Sequence, residues 1–200
     1  DSRRGYLVAT RAVLQVLRGE WDAADAELSR LLAQPLLSAV TRMVALTTWG
    51  ELRARRGDAE AWACLDEALV LADDTGKLLR QAAIRFARAE AALLGGDPAR
   101  ARAELDAVCE AVFARANPWD RGRCAWLLWQ AGARDLPLEG LADPYARQIA
   151  GDWAGAAAAW RAVGDPYAEA LALAAGDDPG LIRQAALIFD QLGAYPAHRQ

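Results

Sequence analysis

Lysine and histidine are all but missing from this chain of 200 residues, which holds one of each, Lys77 and His198. A transition-metal site draws three or four ligands from His, Cys and carboxylate side chains, and one histidine among scattered cysteines does not supply them. A Cys–His nucleophile pair would need His198 folded back from the end of the chain onto a cysteine. Cysteine is scarce too: Cys64, Cys109 and Cys124 have no CxxC spacing. That pattern fits a reducing cytoplasm and thiols buried as small apolar side chains. With 3 Phe and few β-branched residues there is little to build strands from, so the chain is expected to be all-α. No apolar run approaches the length of a membrane span. Arg3 and Arg4 precede no sustained apolar stretch of the kind a signal peptide needs.

Catalytic motifs are missing as well. Gly76-Lys77 ends like a phosphate-binding loop, but no glycine stands five residues earlier and Leu78 replaces the Ser or Thr. The carboxylate pairs Asp73-Asp74 and Asp177-Asp178 fall at helix ends, where caps and turns account for them. A net charge of −4 and a pI near 5.1 oppose nucleic-acid binding by this segment. No catalytic residue, metal or cofactor is assigned, and the chain is expected not to be an enzyme.

Alanine and arginine are abundant. The apolar fraction is 54% but the mean hydropathy only −0.02, because much of that fraction is Ala, the best helix former. All the basic residues but Lys77 are Arg, which with the alanine suggests a GC-rich bacterial genome. The chain starts at Asp1 without Met, which suggests a segment of a longer protein.

A beat of glycine, acid and Ala-rich run recurs at Gly19-Glu20, Gly57-Asp58, Gly96-Asp97, Gly151-Asp152 and Gly176-Asp177. The first three copies are about 38 residues apart, near the period of paired-helix repeats. Glycine in the left-handed conformation closes one helix and the acid caps the next. Five Asx-Pro steps mark further helix starts, at Asp97, Asn117, Asp143, Asp165 and Asp178. Helices are predicted over 4–17, 22–33, 36–55, 59–73, 77–94, 98–114, 118–131, 144–151, 153–162, 166–175 and 179–192. The second helix of each pair repeats a small–large–apolar trio on one face: Ala24/Leu28/Leu31, Ala61/Leu65/Ala68, Ala101/Leu105/Val108, Ala156/Trp160/Val163 and Ala185/Phe189/Leu192. This is the register of tetratricopeptide repeats, and Trp49-Gly50 falls where the first helix of that repeat carries a large residue followed by Gly. The expected architecture is a right-handed superhelical array of antiparallel helix pairs, a tetratricopeptide-like α-solenoid. Regular pairs occupy 1–131, an irregular connection 132–143, and shorter pairs 144–200.

Three stretches carry a family resemblance. Arg18 to Trp21 through Trp49 to Asp58, Asp143 to Trp153, and Asp165 to Leu173 resemble the helical-repeat region of large LuxR-type bacterial transcriptional regulators. Ala186 to Ala194 resembles the segment that precedes their DNA-binding module. The resemblance implies a nucleotide-binding ATPase domain before this region and a DNA-binding helix-turn-helix after it. It also implies a cytoplasmic location and a sensor or protein-interaction role.

Two sets of residues are candidates for recognition. Trp119, Trp126 and Trp129 form one stripe on the helix after Pro118, either core or the wall of a groove bordered by Arg121 and Arg123. Trp126 and Trp129 are expected to be core. Arg80, Arg85 and Arg88, with Arg53, Arg55 and Arg56 on the preceding pair, lie on first helices, either as solvated surface or as a face for an acidic peptide. The partner would be a protein, a peptide or a small inducer, together with the ATPase domain of the same chain. A free-standing peptide-binding scaffold is the alternative. Leu181, Ile182, Leu187, Ile188 and Phe189 would be left uncovered at the end of the array and could support a homodimer.

Overall fold

Gly19, Gly57, Gly96 and Gly151 all have φ of 77 or 78°, the left-handed conformation that ends a helix and that side chains disfavour. The computed structural model in which they lie describes residues 2–73 and 78–198, and the side chains of residues 3–72 and 81–197. The expectations placed on Asp74 and Lys77, and on the side chains of Asp73, Arg80 and His198, fall outside what is described. Thirteen helices and no strand occur among the described residues. They are α1 (Ser2–Leu17), α2 (Trp21–Leu32), α3 (Ala39–Arg56), α4 (Ala61–Asp73), α5 (Leu78–Leu94) and α6 (Pro98–Asp106). There follow α7 (Cys109–Arg115), α8 (Pro118–Gln130), α9 (Asp143–Ile149), α10 (Trp153–Val163), α11 (Pro166–Ala174), α12 (Pro179–Leu192) and α13 (Tyr195–His198).

The Asx-Pro steps cap as expected at four positions. Asp97 accepts from the backbone N–H of Arg100, Asn117 from Trp119 and Asp120, Asp165 from Ala168, and Asp178 from Gly180 and Leu181. At the fifth, Ala142 is the cap and Asp143 is the first helical residue, its carboxylate turned to Arg147 instead. The glycine–acid beat also fails once. Gly176 has no positive φ, because α11 closes on Ala175 in the right-handed conformation and Asp178, not Asp177, caps the next helix. The helix predicted over 98–114 is two helices. Val108, at φ −132°, breaks it, so that Val108 and Val112 join Leu105, Cys124 and Leu128 in one apolar cluster.

Consecutive helices pack on one another, and α1, α3, α5 and α8 also contact in series. The alanines of the trios, Ala24, Ala61, Ala101, Ala156 and Ala185, are all buried. Gly50 explains why small residues are needed. A Cβ there would stand 2.6 Å from Leu65 Cγ and 3.2 Å from the Ala61 carbonyl oxygen, so α3 and α4 touch almost backbone to side-chain root. One member of the trios departs. Val163, the last residue of α10, is exposed.

The first and third pairs match at four structural positions offset by 77, although α2 is continuous where Val108 breaks its counterpart. Gly19 and Gly96 make the turns, Ala24 and Ala101 the crossings. Arg11 pairs with Glu27 across α1 and α2, as Arg88 pairs with Glu104 across α5 and α6.

Residues 131–142 carry no helix. Beyond them the chain returns to its beginning. One apolar cluster joins Val16, Trp21 and Leu52 to Trp160, Tyr167, Phe189 and Ala197. The Gly19 turn abuts Pro166 and Leu192, and the Gly57 turn abuts Pro196. Phe189, expected among the uncovered apolar residues, is therefore buried, its ring 6.0 Å from that of Tyr167. Ile182 and Leu187 stay exposed.

Candidate ligand-binding site

Helices α3, α5 and α8 run side by side, and each turns a charged residue toward a shared interior. Glu51 and Arg55 lie one turn apart on α3, so both point the same way. Arg55 donates to Glu51 at 2.5 Å and to both carboxylate oxygens of Glu90 on α5, at 2.7 and 3.2 Å. Arg123 of α8 completes the set, 3.0 Å from Glu51 and 2.9 Å from Glu90. Two guanidinium groups and two carboxylates thus alternate in a neutral tetrad. Such a group is stable out of water only while every member keeps its partners.

The electrostatics follow from that closure. Burial alone would lower the Arg55 guanidinium, but Glu90 and Glu51 outweigh it and hold Arg55 well above its ordinary range. Burial would likewise raise Glu90, and Arg55 and Arg123 overcome it to hold that carboxylate below its usual value. At Tyr145 and Tyr167 the opposing charge of Arg123 and Arg55 falls short of the cost of burial. Burial pushes both phenols up, against the opposing pull of Arg123 on Tyr145, while Glu90 adds to the rise at Tyr167.

A cavity of about 100 Å³ opens on this tetrad, roofed by α9, α10 and α11. Tyr145, Gln148, Trp160, Asp165 and Tyr167 face it from the roof, and Trp126 and Leu94 from the floor. Tyr145 reaches it because α8 has Gly122 beneath the ring; a Cβ there would be 2.9 Å from Tyr145 Cγ. Tyr145 packs edge-on to Trp160 at 4.8 Å. Tyr167 lies under Arg55, whose guanidinium carbon is 4.3 Å from the ring centroid. Asp165 is the fifth charged side chain on the cavity and has no cation within ion-pair distance among the described residues. Burial lifts its carboxyl above the ordinary range, against the pull of Arg55 and of the N–H of Ala168.

The residues singled out from the sequence fall in different places. Trp126 is buried and stacks on half-buried Trp129 at 5.1 Å, and both meet Trp153 edge-on. Trp119 is 46% exposed, with one side against Tyr145 and Trp160. Arg123 belongs to the tetrad, while Arg121 sits by Gly140 with a buried Nε that has no hydrogen-bond partner among the described residues. Arg85 and Arg88 pair with Glu104, and Arg88 also with Asp66. Arg53 holds Asp58 and Glu60, and Arg56 holds Asp22. These arginines are matched to carboxylates of the same chain. Sequence reasoning did not single out Glu51, Glu90, Tyr145, Gln148 or Tyr167. A signal existed: Asp-Pro-Tyr occurs twice, at 143–145 and 165–167, and both tyrosines end in the cavity.

Among the described residues no group of His, Cys, Asp and Glu is arranged to hold a metal ion, and no helix is long and apolar enough to cross a membrane. No family model, curated protein or solved structure matches the chain.

Proposed function

We propose that this chain is the helical-repeat arm of a multidomain LuxR-type transcriptional regulator. In that role it is a non-catalytic sensor and interaction region that couples an inducer or partner to the control of transcription. Its pairs form a tetratricopeptide-like superhelical array. The observation that carries this reading is the match of the first and third pairs at the turn glycine, the crossing alanine and the interhelical Arg–Glu pair. The cavity supports the sensory part. It is bounded below by the first helices of the repeats and above by α9 to α11, so an occupant would contact both and favour the arrangement in which they meet.

The test is the gene around this segment and the activity of its full product. A nucleotide-binding domain upstream and a helix-turn-helix downstream, with ATP hydrolysis altered by E90Q, are expected. An open reading frame with neither domain would overturn the regulator reading and leave the free-standing peptide scaffold.

A further inference from the structure

The cavity floor is neutral, since Arg55 and Arg123 are matched by Glu51 and Glu90. Asp165 therefore leaves the lining with one negative charge in excess. It is 7% exposed, and the helix N-terminus it caps occupies Oδ1 through Ala168. Two further polar groups are left over. Gln148, 1% exposed, accepts from the Trp160 indole N–H through Oε1, and its amide nitrogen has no hydrogen-bond partner among the described residues. The Tyr167 hydroxyl, on a side chain 3% exposed, has none either. Both residues line the cavity, where these groups are free to bond an occupant in place of water. The remaining walls are aromatic and aliphatic: Trp126, Trp160, Tyr145 and Leu94.

We propose that this cavity binds a small organic ammonium ion, its charge set against Asp165 and its N–H groups donated to Asp165 and to the Tyr167 hydroxyl. The surplus carboxylate supplies the countercharge, and the rings add the attraction of their faces for a cation. Gln148 offers its amide N–H to an acceptor on the same molecule, such as a hydroxyl group. Size limits the ligand: a cavity of about 150 Å³ holds one benzene molecule, so about 100 Å³ takes an amine of a few carbons. The proposal rests on the sensor reading and names the inducer chemistry of its site.

Calorimetric titration of the 200-residue chain with ethylammonium, ethanolammonium, acetamide and acetate tests it. Saturable binding of both cations is expected, tighter for ethanolammonium, with at least tenfold weaker binding of acetamide and acetate. In D165N the cation affinity is expected to fall at least tenfold without any loss in the unfolding midpoint, because Asn caps a helix as well as Asp. Ala168→Leu, which fills the cavity from another side, is expected to abolish binding of every probe. Binding of acetamide or acetate as tight as that of the cations, unchanged affinity in D165N, or a cavity that takes only water would each overturn the proposal. The regulator reading would survive that failure, because it is decided by the flanking domains.

Discussion

Arg55 and Glu90 hold α3 to α5 with two hydrogen bonds in a site from which solvent is nearly excluded: Nε to Oε1 at 2.7 Å and Nη2 to Oε2 at 3.2 Å. The clasp lies thirty-five residues apart in sequence, so it joins the second helix pair to the third rather than any helix to itself. Because Arg123 uses the same carboxylate, Glu90 ties three helices at one point.

Removing that carboxylate leaves two buried cations to share Glu51. E90Q is therefore expected to cost about 3–5 kcal/mol in urea denaturation. The double variant R55M/E90M, which removes charge of both signs, is expected to recover much of that loss. An E90Q protein as stable as the parent would show that water reaches the tetrad.

Glycine at position 50 is required by the α3–α4 crossing. Gly50→Ala gains helix propensity of about 1 kcal/mol, but the new Cβ collides with Leu65 Cγ, 2.6 Å away in a fully buried site. The net expectation is a loss of about 1–3 kcal/mol from overpacking. Leu65→Ala in the same background should relieve part of it, so the two losses should be less than additive. Ala101→Leu, at the equivalent crossing of the third pair, is expected to cost a similar amount.

Asp165 and Glu90 make opposite contributions to the pH dependence of stability. The Glu90 pKa is lowered on folding, so its contribution is present above the unfolded value and lost as pH falls through the folded one. The Asp165 pKa is raised, so the folded state binds its proton more tightly than the unfolded state does. Stability from Asp165 is full below the unfolded carboxyl value and declines as pH rises through the raised one. D165N should abolish that decline while leaving the acid limb due to Glu90. Denaturation midpoints measured from pH 3 to pH 8 will show whether the slope above the ordinary aspartate range disappears.

The three thiols should separate by reactivity. Burial pushes Cys124 up to about 12, and it raises Cys64 against the opposing charge of Arg53. Only Cys109 is partly open to solvent. Since the thiolate is the nucleophile, an aromatic disulfide reagent should titrate Cys109 first and reach Cys64 and Cys124 on unfolding. Equal rates for all three would contradict the burial of the other two.

The tryptophan stripe is expected to divide along its length. In proteins keeping a single tryptophan, acrylamide should quench Trp119, which is 46% exposed, far more than Trp126, which is 7% exposed. Trp126→Ala should cost about 3–5 kcal/mol, as truncation of a buried aromatic does. Strong quenching of Trp126 in the folded protein would put the stripe on the other face.

Local chemistry by itself determined where most helices begin and end. A glycine that adopts positive φ, an Asx side chain that accepts backbone N–H groups and a proline that starts a turn act within four residues, so Gly57, Asp97 or Asn117 can be read without knowing the rest of the chain. The exceptions are instructive. Gly176 looks like Gly151 in sequence, but competition from Asp178 two residues later moved the turn. Val108 broke a helix whose periodicity was continuous, because burial of two valines outweighed backbone regularity. The spacing of alanines also foretold the crossings, since a close approach leaves room for nothing larger. The destination of charge and aromatics was decided by tertiary structure alone. Arg55, Arg88 and Arg123 sit on helix faces that suit solvent or an acidic peptide equally well. Only the return of α10 to α13 onto the first pairs, and the packing of α5 between α3 and α8, brings carboxylates within reach and removes water. A partner thirty-five residues away leaves no periodicity in the sequence, and burial, which sets both the strength of an ion pair and the cost of breaking it, is a property of the assembled helices.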